Sequence, residues 1–426
     1  MILFYKALSN LLYPIIVIII FIRKILKKED PLRYKEKIFY NHFKVERITG
    51  SKLIWFHAAS VGELKSIVPI LYGLNKINPR LQFLITTVTL SSAQVVKDEL
   101  KKLNNVSHRY FPIDSNFLIK KFISSWRPDK IFLVDSEIWP NLILTSKESN
   151  IPISLINARI TKKTFERWIL IHRFAEKIFS CFDLCLSSNY ETKDHLEKLK
   201  AKNIFFLGNI KLTTNNSYQL TNQPNEKILS KRRFWFALST HDSEEKLCLD
   251  VHLKLRDIYK GLITIIAPRH IQRISSIKKI CMDLDLSYQV LDKNELILEN
   301  KEIILVNYYG NLPVFLRYSK SVFVGKSTIK KLENVGGQNP IEAAKLGCKI
   351  YHGPFVYNFK EIYNTLRENL ISQEINDSGE LASYINKDFE NKIDSVQISN
   401  LIQNLGQKTL TDTMRQINFF LKNETI

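Results

Sequence analysis

The chain has 426 residues, 45% of them hydrophobic and 24% charged, with only 13 glycines and 13 prolines. That is apolar chain enough for two domains of about 200 residues each, and it excludes collagen-like, low-complexity and disordered classes. Lysine plus arginine (62) exceed aspartate plus glutamate (42), leaving a formal charge of +20, which favours an anionic partner: nucleic acid, a membrane surface or a phosphorylated substrate.

The amino terminus carries an uncharged run, Leu11 to Ile22. As helix it is about 18 Å long, short of the roughly 30 Å hydrocarbon core, but extension back to Ile2 gives about 32 Å. Arg23, Lys24, Lys27, Lys28, Arg33, Lys35 and Lys37 follow directly. Charges after the apolar run, with none of a signal peptide's order, predict an uncleaved anchor with the rest of the chain cytoplasmic, either spanning or embedded in one leaflet.

From about residue 50, short apolar strands alternate with helix-period segments. Strands are predicted at 53–59, 82–89, 130–137, 152–158, 184–188 and 204–210, with helices over 60–77, 91–103, 116–125 and 192–199. Residues 212–225 have no charge and read as a linker. Strands resume at 233–239, 262–268, 287–292, 302–308, 321–325 and 348–353, and a helix over 396–422 closes the chain. Fully apolar strands separated by helices indicate parallel sheets covered on both faces, and hence an α/β fold with two Rossmann-like domains facing a cleft. Five cysteines, odd and sparse, exclude a disulfide scaffold. Cys181 and Cys185 lack the second ligand pair that structural zinc requires, and a reducing compartment is expected.

The loops after the strands carry the chemistry. Ser60 and Glu63 spell S-x-x-E, a capping box for the helix that follows; Glu63 is equally placed to act as a general base. Asp135 and Glu137 end another strand, and acids at that spacing share a face, where a metal or an acidic helix start are both open. Lys211 ends the strand before the linker, placed to meet a phosphate. In the second half Pro268-Arg269 and Tyr309-Gly310-Asn311 end two strands. Gly336-Gly337 precede Asn339-Pro340-Ile341-Glu342, which predicts close backbone approach to a ligand, Asn339 as N-cap, Pro340 at N1 and a helix start offering N–H groups to phosphate. No G-K-[ST] follows, so this is not a Walker A loop.

Taken together, A-S-V-G-E (59–63), E-I-W-P-N-L (137–142), N-A-R-I (157–160), G-N-I-K (208–211), S-T-H (239–241), P-R-H (268–270) and G-G-Q-N-P-I-E-A-A (336–344) resemble the 3-deoxy-D-manno-octulosonic acid (Kdo) transferases nearly end to end. The resemblance implies a GT-B glycosyltransferase with an amino-terminal membrane-anchor helix (1–24), an acceptor-binding domain (25–211), a linker (212–225) and a CMP-sugar-binding domain (226–426). It implies inverting transfer of Kdo from CMP-Kdo to the lipid A precursor, lipid IVA, in lipopolysaccharide core synthesis, at the cytoplasmic side of the inner membrane, with neither metal nor cofactor. Glu63 then corresponds to the proton acceptor and Glu137 and Lys211 to transition-state stabilisers. Pro268, Arg269, Tyr309, Gly310, Asn311, Asn339, Pro340, Ile341 and Glu342 correspond to the CMP contacts. The family pattern has an acid at Asn311, a histidine at Gln338 and a second glycine at Lys326. Two rival readings remain: another GT-B enzyme acting on membrane lipids with a UDP-sugar, and a basic protein that binds nucleic acid without catalysis. The dispersed lysines and the lack of any helix-turn-helix, RRM or zinc-finger signature argue against nucleic acid.

Overall fold

The computed structural model describes residues 1–213, 225–310, 312–391 and 393–422. Most of the expected linker (214–224) and Asn311 lie outside the described residues. The chain divides into two compact units, residues 1–215 with 405–426, and residues 216–404.

In the first unit, β1 (Leu53–His57), β2 (Gln82–Thr87), β3 (Val106–Tyr110), β4 (Lys130–Val134), β5 (Ile153–Ala158), β6 (Leu184–Ser187) and β7 (Ile204–Phe206) form one sheet in the order β3-β2-β1-β4-β5-β6-β7. Every neighbouring pair is parallel. The period of two divides β1 between two cores. Leu53 and Trp55 join Leu84 and Leu133 on one face, while Ile54 and Phe56 join Phe83 and Phe132 on the other. The rings of Phe56 and Phe132 stack at 4.7 Å. Burial of each such side chain contributes about 1.5–3 kcal/mol, so helices must cover both faces.

The second unit repeats the plan with β8 (Phe234–Thr240), β9 (Ile263–Pro268), β10 (Tyr288–Leu291), β11 (Ile303–Val306), β12 (Ser321–Val324), β13 (Lys349–His352) and β14 (Ser372–Glu374). The order is β10-β11-β9-β8-β12-β13-β14, again parallel throughout. Strand order reverses between β1 and β4 in the first sheet and between β8 and β12 in the second. At such switch points the loops leaving the carboxyl ends diverge and open a crevice for ligands.

Three features depart from the sequence expectations. β3 and β14 are additional strands; both lie at sheet edges and carry polar residues, since an edge needs no apolar run. Arg109 of β3 donates from Nε to the carbonyls of Phe43 (3.0 Å) and Lys44 (3.1 Å). The end of the chain also belongs elsewhere than expected. The helix Ser395–Lys422 finishes in the first unit rather than in a domain running 226–426. Its Ile417 and Phe420 are buried on the face that holds Ile54 and Phe132, with Phe420 edge-on to Phe132 at 5.5 Å.

The amino-terminal segment forms two helices, α1 (Ile2–Leu11) and α2 (Tyr13–Ile25). Among the described residues no single helix is long and apolar enough to cross a membrane; α1 and α2 pass that test only as a pair bent by 47°. Polar groups of α1 hold it to the first unit. Ser9 Oγ accepts from Asn141 Nδ2 at 3.0 Å, Asn10 Oδ1 accepts from the Phe117 N–H at 3.1 Å, and Tyr5 donates to Asp114 at 3.3 Å. Large apolar side chains remain exposed along both helices, including Leu3, Phe4, Leu11, Ile15, Ile18, Ile22 and Ile25.

Candidate active site

Glu63 lies in the first turn of α3 (Val61–Ile77), which leaves the carboxyl end of β1. The predicted capping box is formed. Ala59 N donates to Glu63 Oε2 at 2.7 Å and Ser60 N to the same oxygen at 3.3 Å; Ser60 Oγ donates to Oε1 at 2.9 Å, and Glu63 N donates to Ser60 Oγ at 3.3 Å. These bonds favour the anion, yet burial, and after it the carboxylates of Glu137 and Asp135, push the Glu63 pKa above the ordinary carboxylate value. A helix cap in open solvent would not be lifted in this way. The half-buried carboxyl is therefore a better proton acceptor at neutral pH than a free glutamate.

Asp135 and Glu137 follow β4, on the other side of the switch point. Asp135 adopts φ 64°, a left-handed turn that ends the strand's alternation and gives the two acids different partners. Asp135, 5% exposed, forms an ion pair with the Lys211 ammonium. Glu137 Oε2 accepts from Trp139 Nε1 at 2.7 Å and lies 3.2 Å from His57 Nε2. Lys211 is thus not an isolated cation aimed at phosphate: it neutralises a buried acid, and it is fixed by its own N–H to Asn209 Oδ1 at 3.0 Å. Among the described residues no group of three or more His, Cys, Asp and Glu is placed to hold a metal ion.

His57 went unassigned in the sequence. It is fully buried, stacks on Phe111 at 4.0 Å and has Nδ1 2.9 Å from Thr86 Oγ1. Trp55 Nε1 donates to that hydroxyl at 2.8 Å, and His57 Nδ1 also lies 3.2 Å from the Thr86 carbonyl oxygen. A cavity of about 690 Å³ opens at the amino ends of β1, β4 and β5, lined by Lys52, Asp129, Lys130 and Asn418. It lies at the opposite end of the sheet from Glu63, away from the end where doubly wound sheets bind ligands.

In the second unit Pro268 closes β9 and Arg269 follows, its side chain exposed and its N–H donated to Thr240 O at 2.9 Å. Tyr309, 60% exposed, and Gly310 lie beyond β11. The segment after Gly336-Gly337 differs from expectation by one residue. Pro340 is the N-cap of the helix Ile341–Lys345, and Asn339 precedes it, its Oδ1 accepting from Ile341 N at 3.0 Å. A five-residue helix has little macrodipole, so its start is a weaker phosphate site than the sequence implied. Ile341 is buried and Glu342 half-buried. The two glycines answer to the protein rather than to a ligand. A Cβ on Gly336 would come within 2.2 Å of Phe355 O, and one on Gly337, which sits at φ 86°, within 3.0 Å of Val356 Cα.

Glu244, also unassigned in the sequence, organises the second switch point. Its buried carboxylate accepts from the N–H groups of His241 (2.9 Å), Lys326 (2.7 Å), Ser327 (2.8 Å) and Thr328 (3.1 Å) and from Thr328 Oγ1 (3.0 Å). It ties the loop after β12 to the start of the helix after β8.

Known proteins resemble this chain over most of its length. The family described as 3-deoxy-D-manno-octulosonic-acid transferase (kdotransferase) matches residues 33–214. The chain is 31% identical to 3-deoxy-D-manno-octulosonic acid transferase of Rickettsia bellii over 387 residues, covering 89% of each protein. This protein belongs to the Kdo transferase family. The Kdo transferase of Rickettsia prowazekii is 28% identical, spanning 99% of this chain and 100% of its own, and that of Haemophilus influenzae is 28% identical, spanning 96% and 94%. Membership makes the protein a glycosyltransferase and sets aside the nucleic-acid reading. Among solved structures, UDP-GlcNAc 2-epimerase from Neisseria meningitidis superposes with a TM-score of 0.59 at 14% identity, over 87% of this chain and 100% of that one. A glycosyltransferase from Rickettsia africae gives 0.59 at 13% identity, over 88% and 100%. At such identities the likeness is one of fold, the GT-B α/β fold.

Proposed function

We propose that this Kdo transferase moves Kdo from CMP-Kdo to a phosphorylated lipid A precursor, lipid IVA, with inversion at the anomeric carbon and with Glu63 as general base. The Glu63 carboxylate takes the proton from the acceptor hydroxyl as the hydroxyl oxygen bonds to the anomeric carbon. The bond from that carbon to the CMP phosphate oxygen breaks on the opposite face, and its electron pair leaves with CMP. Glu137, held by His57 and Trp139, would stabilise positive charge developing on the sugar, and the Lys211–Asp135 pair keeps a second negative charge from pushing the Glu63 pKa higher still. Arg269, Tyr309, Gly310, Asn311 and the segment Asn339–Glu342 receive CMP, whose phosphate gathers charge as it departs. The observation that carries this reading is the raised, half-buried Glu63 carboxyl at the switch point of the first sheet.

We also place the protein at the cytoplasmic side of the inner membrane, embedded in one leaflet through α1 and α2. The exposed apolar residues of both helices, the basic residues after them and the polar bonds that hold α1 to the first unit suit a helix pair lying in the interface better than one crossing it. The test is a transfer assay with purified full-length protein, CMP-Kdo generated in place and a tetraacylated lipid A precursor, read by product mass. Addition of Kdo is expected; no product with CMP-Kdo, but product with a UDP-sugar, would overturn the reading.

A further inference from the structure

The loop after β12 contains a cation that the glycine of the family pattern would not supply. Gly325 is dictated by packing, because a Cβ there would come within 2.6 Å of Ser239 O and 2.7 Å of Thr240 Cα. The next residue, Lys326, sits at φ 60°, a left-handed conformation that glycine adopts without strain and lysine does not. Ser239, at the end of β8, is also left-handed, at φ 56°. Two strained residues thus flank the switch point of the second sheet, and strain of this kind gathers at ligand sites, where the surrounding structure holds it in place.

The surroundings do hold it. Lys326 N donates to Glu244 Oε2 at 2.7 Å, and Lys326 O accepts from Gly337 N at 2.7 Å. Lys326 therefore joins three segments: the start of the helix after β8, the end of β12 and the Gly336-Gly337 turn. Its side chain is half-buried. Burial first, and the Arg269 charge second, hold its pKa below the ordinary lysine value. His241 and His270 lie edge to face at 5.6 Å in the same cluster, and Lys326 is among the charges that disfavour protonation of His241. Glu244 spends its carboxylate oxygens on the five donors named above. Among the described residues neither Lys326 nor Arg269 has a carboxylate within ion-pair distance. Lys326 and Arg269 follow β12 and β9, the two strands that flank β8, and two cations at the carboxyl end of a parallel sheet make an anion site.

We propose that Lys326 is a further donor-binding residue of this chain, its ammonium acting with Arg269 to hold an anionic oxygen group of the CMP-sugar, either the phosphodiester or the sugar carboxylate. This inference rests on the donor assignment above. Its test uses full-length Lys326→Gly, Lys326→Met and Lys326→Arg, with CMP and cytidine titrated by calorimetry and the KM for CMP-Kdo measured in the transfer assay. Because glycine relieves the left-handed strain, Lys326→Gly should melt at or above the wild-type temperature, so that any lost affinity is not unfolding. If the phosphate is the ligand, Gly and Met weaken CMP binding roughly tenfold, Arg restores most of it and cytidine is unaffected. If the carboxylate is the ligand, CMP binding is unchanged and the KM for CMP-Kdo rises by about the same factor. Variants that match wild type in both measurements overturn the proposal alone. Wild-type protein that binds neither CMP nor CMP-Kdo overturns the donor assignment and this inference with it.

Discussion

Replacing Glu63 by glutamine keeps a carbonyl oxygen where the capping box needs an acceptor and removes the oxygen able to take a proton. In the folded protein Oε2 accepts from two N–H groups and Oε1 from the Ser60 hydroxyl. Turning these charge-assisted bonds into neutral ones costs about 0.5–1 kcal/mol. A second contribution has the opposite sign. The folded state raises the Glu63 pKa, so ionisation of this group weakens the fold at any pH above the unfolded value of about 4.3, and deleting the charge restores some stability at neutral pH. The net change should stay within about 1 kcal/mol, a melting shift of no more than about 2–4 °C for a unit of this size. Transfer should nevertheless fall by about 10²- to 10⁴-fold, the usual share of a general base, while CMP still binds. Ser60→Ala supplies the converse: about 1 kcal/mol of lost stability with kcat near wild type. Single-turnover transfer followed by product mass, alongside thermal melts and CMP titration, measures all three quantities. A Glu63→Gln protein that melts normally and transfers within tenfold of wild type refutes the base. One that is inactive only because it melts far below wild type reduces Glu63 to its cap.

Three further outcomes are expected. The acid limb of kcat/KM should lie above pH 4.3, because Glu63 must lose its proton to act and its pKa is raised; a rate that stays flat down to pH 4 would contradict this. Lys211→Met leaves Asp135, 5% exposed, without its cation, and should cost about 3 kcal/mol in urea denaturation. Adding Asp135→Asn should recover most of that loss, and an unchanged midpoint in the single variant would show that the pair does not stabilise the fold. Ile15→Asp with Ile18→Asp, both on the exposed face of α2, should reduce co-sedimentation with anionic vesicles severalfold, and 0.5 M salt should weaken the wild type. Binding that survives both perturbations would remove the membrane role of this face.

Where burial on both faces dictates composition, the chain is easily read. The apolar runs at β1, β4, β5, β9 and β11 have no other use, and each becomes a central strand. β3 and β14 escaped notice because an edge strand can be polar. The final helix shows its period but not its destination, since Ile417 and Phe420 would suit any sheet. The site divides in the same way. Ser60-x-x-Glu63 is a local pattern and forms as written, whereas the link between His57 and Glu137 spans 80 residues and leaves no mark in either segment. Gly336 and Gly337 were legible as special, but the reason, the approach of Phe355 and Val356, lies in a distant loop. Nor does composition betray backbone angle: nothing in Gly325-Lys326-Ser327 says that the lysine is left-handed.

The helix Ser395–Lys422 has a consequence for how the protein is made. As the polypeptide emerges from the ribosome, the first seven strands and α3 can pack long before Ile417 and Phe420 exist, so the part of that face which those two side chains cover, beside Phe132, stays open while the whole second unit is synthesised. A nascent chain in that state presents a sticky apolar surface and needs a chaperone or a stand-in until the helix Ser395–Lys422 has been made. Fragments that stop before residue 405 should therefore aggregate, and a soluble version of the first unit would have to carry the last turns of the chain as a grafted peptide.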